Sequence, residues 1–205
     1  MLERFTHVSR KYSRLRTRRC VILAKLKAQP DVFRICGLDL SLSPGIAAID
    51  IRNRIPYLVA ADSVATSTDD TDAVRNYTVE TFVAQFVRQH RPFKLVVRED
   101  FTSGRNKRAT QTIFSAWAAA DRALASYGYL AEDLKPALTP TTVKKLVTGN
   151  GKAEKTEVAE AVRKWLRLSP DYKFRVGYDD SDALAVCLAY LIRENLIDDI
   201  AEAVA

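Results

Sequence analysis

Two aspartates that stand three residues apart open the last long apolar stretch of the chain, within residues 178–184. On a helix Asp179 and Asp182 share one face, whereas Asp180 points about 100° away and is expected in solvent. The dipole at a helix start stabilises a carboxylate there, so Asp179 could be only an N-cap, but that leaves Asp182 unexplained. Because like charges this close repel unless a cation lies between them, the pair predicts a divalent-metal site.

The composition excludes several other chemistries. The chain has only two histidines, in polar surroundings, and three cysteines that are far apart without a paired spacing: His7, His90, Cys20, Cys36 and Cys187. This argues against catalysis by imidazole, against zinc and against disulfides, and it favours a reducing compartment. No apolar run reaches the roughly 18 residues of a membrane span. We therefore expect a cytoplasmic protein of a bacterium or a phage-infected host, with an organelle less favoured.

The net charge of +7 is concentrated at the N-terminus. Residues 1–34 hold ten lysines and arginines against two acids, whereas the other 171 residues hold 22 against 23. The spacing in residues 1–31 predicts a basic amphipathic helix, which either packs on the domain or a partner subunit or binds phosphates. Residues 32–205 form the predicted main domain. A basic arm beside an acidic site suggests a polyanionic substrate.

The remaining pattern predicts an α/β fold with a mixed five-stranded sheet flanked by helices. We expect strands near 33–40, 46–51, 57–64, 94–97 and 134–138, and helices near 74–86, 109–124, 139–148, 153–168 and 183–192.

Two further acids belong to these strands. Asp39 interrupts the first apolar strand, and Glu99 follows the fourth. If the first strand is central and the fourth lies beside it, these acids become neighbours, and the final helix can bring Asp179 and Asp182 to them. Four carboxylates could then hold two metal ions about 3.5–4 Å apart, as in phosphodiester hydrolysis. Alternatively, Asp39 is a structural turn acid, and Glu99 pairs with Arg98 or Arg105 while Asp100 is the ligand.

Four motifs in this order resemble the RuvC-type Holliday junction resolvases, which have the ribonuclease H-like fold. The likeness covers about residues 34–192, and its segments are Gly37–Asp39, Val97–Phe101, residues 143–155 and Asp179–Leu184. The basic N-terminal helix has no counterpart in the compact bacterial enzymes, so we expect a phage-like or divergent member.

The resemblance implies site residues, cofactor and partners. The implied catalytic and metal-binding quartet is Asp39, Glu99, Asp179 and Asp182, with Mg²⁺ as cofactor, Mn²⁺ as substitute and two ions per site. Lys144 and Lys155 would face the DNA backbone, and Phe101 loosely matches the aromatic residue that wedges into the junction. We also expect DNA contacts from Lys152, Arg105, Lys107 and Arg108, although such basic clusters are often only solvated faces. The implied assembly is a homodimer on a four-way junction.

The sequence thus predicts a Mg²⁺-dependent endonuclease of DNA recombination and repair that resolves four-way junctions by phosphodiester hydrolysis. The alternatives are a broader nuclease for branched or flap DNA and a non-catalytic DNA-binding protein on the same fold.

Overall fold

The computed structural model describes residues 32–40, 43–100 and 107–198, without the side chain of residue 109. The predicted basic arm, Phe101 and Arg105 lie outside the described residues. The division into an arm of residues 1–31 and a domain of residues 32–205 therefore stays a prediction.

A mixed sheet forms the centre of the described part of the chain. Its strands are β1 (Phe33–Asp39), β2 (Gly45–Arg52), β3 (Ile55–Ser63) and β4 (Leu95–Arg98). The first three form an antiparallel meander, and β4 pairs with β1 in parallel, which gives the order β3-β2-β1-β4. The expected placement of β1 inside the sheet, with β4 beside it, is confirmed.

Helices cover both faces of this sheet. They are α1 (Asp72–His90), α2 (Lys107–Ser126), α3 (Pro140–Thr148), α4 (Lys155–Trp165) and α5 (Asp179–Arg193). Side chains alternate across a strand, so Cys36 and Leu38 of β1 join the core under α1 and α2, while Gly37 faces α5. The α5 helix lies on the sheet, and α3 and α4 pack against it. Among the described residues, no helix is long and apolar enough to cross a membrane.

The segment predicted as a fifth strand, Leu134–Leu138, is not a strand. Instead Ala131 makes a single parallel bridge to Val96, and Asp100 N–H donates to the Leu138 carbonyl (2.7 Å). Leu134 and Leu138 are buried, so the apolar pattern was real. Pro136 lacks an N–H and cannot donate to a ladder, so continuous strand pairing does not run through this segment.

An ion pair near the start of β1 joins this strand to β2. Arg34 donates to both carboxylate oxygens of Asp50 on β2 (2.6 and 3.1 Å) and to the His90 carbonyl at the end of α1 (2.7 Å). Burial raises the pKa of Asp50, but the hydrogen bonds and charges of Arg34 and Arg52 outweigh it, so the pKa is lowered overall. Asp50 therefore stays ionised in the folded protein and holds Arg34, which links β1, β2 and the end of α1.

Candidate metal centre

The first turn of α5 is built to present two carboxylates on one face. Tyr178 precedes the helix in the left-handed region (φ 65°), which turns the chain sharply into Asp179. Its carbonyl accepts hydrogen bonds from Asp182 N–H and from the Ser181 hydroxyl, both at 2.9 Å. These bonds close the first turn, so Asp179 and Asp182 project from the same side of the helix.

The parallel pairing of β1 with β4 brings the other two acids together. Leu38 is in register with Arg98, and Glu99 N–H donates to the Leu38 carbonyl at 3.1 Å. Asp39 and Glu99 therefore leave adjacent strands at the same level. Arg98 does not pair with Glu99, because its guanidinium lies over the Trp117 ring and binds Asp121.

A glycine at the start of β2 allows α5 to approach this edge. Gly45 is the register partner of Asp39 on β2. A Cβ at Gly45 would lie 2.6 Å from the carbonyl carbon of Asp179 and closer still to its oxygen. Only glycine permits this contact, so Gly45 sets the separation between Asp39 and the first turn of α5. The residues around Gly45 give no local signal of this role, because the contact is with a residue 134 positions away.

Three of the four predicted acids converge closely. Asp39, Asp179 and Asp182 each offer a carboxylate oxygen, and these oxygens lie within 4.8 Å of one another. Among the described residues this is the one group of three or more acids, histidines or cysteines with metal-ligand spacing. Glu99 is outside this trio, but it is close enough to Asp39 and Asp182 for their charges to repel its carboxylate. Such a set of hard oxygen donors suits Mg²⁺ or Mn²⁺.

Burial and mutual repulsion make these carboxylates hard to ionise together. The pKa of Asp39 is raised to about 7, mainly by burial and in addition by the charges of Asp182 and Asp179. Burial likewise raises the pKa of Glu99 to about 8, with added repulsion from Asp39 and Asp182. Burial also raises the pKa of Asp182, despite the attraction of Lys155. Partly buried acids that repel one another in this way favour a divalent cation, whose charge would relieve the repulsion.

The predicted DNA-contacting Lys155 lies inside this cluster. Its ammonium donates to Asp179 Oδ1 (2.9 Å) and to the Gly177 carbonyl (2.8 Å), and it pairs with Asp182 Oδ2 (3.1 Å). Partial burial lowers the pKa of Lys155, but the two carboxylates dominate and raise it to about 12. The side chain is half exposed, so it closes the rim of the site.

The other predicted DNA-contacting residues are more dispersed. Lys144 donates to the Ala153 carbonyl (2.7 Å) and is close enough to attract Glu99 and Asp182. Lys152 and Lys107 are exposed. Arg108 is exposed too, but its guanidinium binds Asp72 on α1 (2.7 Å).

The expectation that Asp180 is solvated is wrong. Asp180 is only 3% exposed, and its carboxylate accepts hydrogen bonds from the backbone N–H groups of Arg175 (3.0 Å) and Ser181 (2.9 Å). Helical periodicity correctly turns it away from Asp179, but the loop before α5 folds over that side. Asp180 therefore holds this loop to the start of the helix.

A mixed sheet with acids at two adjacent strand ends and on the helix across them defines the ribonuclease H-like class of metal-dependent nucleases. The chain belongs to one family of this class, the crossover junction endodeoxyribonuclease RuvC family, whose model matches residues 35–190. The predicted family and fold class are confirmed.

Individual relatives agree with this assignment. The chain is 31% identical over 172 residues to crossover junction endodeoxyribonuclease RuvC of Thermobifida fusca, covering 83% of this chain and 90% of that protein. It is 30% identical over 163 residues to RuvC of Neisseria meningitidis serogroup A, covering 79% and 86%. The fold is similar to the Thermus thermophilus RuvC structure, with a TM-score of 0.65 and 23% identity over 80% of this chain and 96% of that one. The structure of the Thermus thermophilus RuvC complex with a Holliday junction substrate gives the same TM-score and identity over 78% and 94%.

Proposed function

We propose that this protein is a Mg²⁺-dependent endonuclease that resolves four-way DNA junctions by hydrolysing phosphodiester bonds. The observation that carries the proposal is the convergence of the Asp39, Asp179 and Asp182 oxygens within 4.8 Å, in a chain of the RuvC family. The relatives are named for crossover-junction cleavage, and one solved relative is described in complex with a Holliday junction substrate. Branched DNA is therefore the proposed substrate.

In this proposal the four acids Asp39, Glu99, Asp179 and Asp182 hold two divalent ions. Bound by these carboxylates, such ions would supply the activation of a water molecule and the stabilisation of the leaving oxygen. Asp39 and Glu99 fit this role, because a divalent cation would offset the burial and the mutual repulsion that raise their pKa values. The strand ends keep Asp39 and Glu99 fixed, while the first turn of α5 sets the distance to the other pair.

The proposed DNA surface continues from this site over the nearby basic residues. Lys144, Lys152 and Lys155 would bind phosphates near the cut, and Lys107 and Arg108 would extend the surface along the start of α2. Phosphate contacts of this kind recognise shape and charge rather than base sequence. Phe101, Arg105 and the N-terminal arm remain predicted DNA contacts outside the described residues.

A homodimer is the proposed assembly, because a two-fold symmetric junction needs paired cuts. Large apolar side chains are exposed where α1 and α2 meet: Tyr77 is 72% exposed and Phe114 is 50% exposed. Their chain neighbours Asn76 and Ser115 are hydrogen-bonded at 3.1 Å, so the two rings belong to one surface. An isologous dimer could bury this surface.

Light scattering should give twice the chain mass for the wild type and a monomer for Tyr77→Asp.

Cleavage of an immobile four-way junction tests the function. We expect nicking that requires Mg²⁺ or Mn²⁺, and we expect Asp182→Asn to abolish nicking while binding to the junction is largely retained. Asp133→Asn, which changes an exposed acid outside the site, is the matched control. Normal cutting by Asp182→Asn would refute the site assignment.

The choice of substrate separates the alternatives. Preferential cutting of the junction over a flap and a plain duplex supports junction resolution, whereas equal cutting of junction and flap indicates a broader branched-DNA nuclease. Metal-independent binding without any nicking indicates a non-catalytic DNA-binding protein.

A further inference from the structure

The ammonium group of Lys155 has a complete set of acceptors within the carboxylate cluster. Its three protons face Asp179 Oδ1, Asp182 Oδ2 and the Gly177 carbonyl, at 2.8–3.1 Å. A lysine ammonium has three donors and no acceptor, so these contacts saturate it. In this arrangement no donor of Lys155 remains for a DNA phosphate.

The same two carboxylates belong to the trio with metal-ligand spacing. A divalent ion coordinated by Asp179 and Asp182 takes up their charge and also repels a neighbouring ammonium. Lys155 and such an ion are therefore alternative partners of one pair of acids.

We propose that Lys155 occupies the place of a divalent ion in the metal-free protein, and that metal binding displaces its ammonium and makes it available to a DNA phosphate. The inference rests on the proposed metal site. The displaced side chain stays at the rim, since Lys155 is the first residue of α4 and half exposed. Metal loading and phosphate binding by Lys155 would thereby be coupled.

Lys144 provides a matched control in the same electric field. It attracts Glu99 and Asp182, yet its ammonium is bonded to the Ala153 carbonyl rather than to an acid. Removing the charge of Lys144 strengthens metal binding only by reducing the long-range repulsion between this charge and the ion. Removing Lys155 strengthens it through space and also abolishes the competition.

Calorimetric titration of the full-length chain with Mn²⁺, without DNA, tests the proposal. We expect Lys155→Met to bind Mn²⁺ about tenfold more tightly than Lys144→Met, because the wild-type site is mostly occupied by its own lysine. Equal affinities of the two variants, or weaker binding by Lys155→Met, would overturn the displacement. Absence of Mn²⁺ binding in the wild type would instead refute the metal site, as would undiminished binding by Asp39→Asn.

Nuclear magnetic resonance of lysine labelled with ¹⁵N at the side-chain nitrogen tests the same step in the wild-type protein, should Lys155→Met fail to fold. Titration with Mg²⁺ should shift the Lys155 ammonium signal, which changes its hydrogen-bond partners, much more than the Lys144 signal, which responds only to the charge of the ion. A Lys155 signal that stays unchanged at saturating Mg²⁺ would contradict the proposal.

Discussion

Replacing Gly45 with alanine should damage the metal site without removing any of its ligands. The new Cβ would lie 2.6 Å from the carbonyl carbon of Asp179 and 3.2 Å from the Cβ of Ala183. Ordinary contacts between carbon atoms need about 3.5 Å or more. The carbonyl oxygen of Asp179 would be closer still, so the first turn of α5 must retreat from β2 by about 1 Å or more and carries Asp179 away from Asp39.

This displacement has a calculable effect on both stability and function. Overpacking of this kind costs about 1–3 kcal/mol of unfolding free energy. A misplacement of about 1 Å at a catalytic centre can lower the rate about 100-fold, and Mg²⁺ tolerates little deviation in its ligand distances. We expect Gly45→Ala to fold, to bind Mn²⁺ more weakly and to cleave a four-way junction about 100-fold more slowly.

The assays are junction cleavage under single-turnover conditions, calorimetric Mn²⁺ binding and chemical denaturation. Val87→Ala is the control, because Val87 is fully buried in α1 on the opposite face of the sheet and its truncation costs a similar free energy. The control should lose stability but retain metal binding and cleavage. If Gly45→Ala cuts at the wild-type rate, the contact between β2 and α5 does not set the site geometry.

Two further predictions follow from ionisation. The raised pKa values of Asp39 and Glu99 mean that the folded, metal-free protein holds protons that the unfolded chain releases above about pH 4, so stability should fall as the pH rises towards 8. Calorimetry without metal should show that the melting temperature of the wild type falls by on the order of 5 °C between pH 5 and 8. The fall should be smaller in Asp39→Asn, and Mg²⁺ should restore the melting temperature of the wild type at pH 8. A melting temperature of the wild type that does not change with pH would contradict the burial of these acids. The lowered pKa of Asp50 acts in the opposite sense, since its stabilisation is present above the unfolded pKa and is lost on acidification. Asp50→Ala should leave Arg34 without its carboxylate and lower the free energy of unfolding, measured in urea, by about 3 kcal/mol, while junction cleavage is retained. A decrease below about 0.5 kcal/mol would show that the ion pair contributes little to stability.

Much of the architecture could be predicted from local sequence. The antiparallel meander, β4 and the helices follow from apolar periodicity. Thr139 caps α3 and Pro140 occupies its first turn, while Gly149 ends it in the left-handed conformation (φ 81°), all as their residue types predict. The prediction of a strand at Leu134–Leu138 was wrong, because its leucines can be buried without a ladder of hydrogen bonds to the sheet.

The identity of the acids and the elements that carry them could be read from residue type and spacing, because both are local properties. The sequence placed Asp39 in the first strand and Glu99 after the fourth, and it put Asp179 and Asp182 on one helical face. Only the tertiary structure decided that α5 approaches Gly45 closely enough to bring three carboxylates within 4.8 Å.

Tertiary structure alone also decided the partners of the remaining charges. Asp180 is buried because a loop folds over it, and the Lys155 ammonium faces the acids rather than solvent. These contacts join segments that are separate along the chain, and they depend on the register of the sheet and on the distance at which a helix packs against it. Neither quantity is encoded in a short stretch of residues, since each results from the packing of the whole domain.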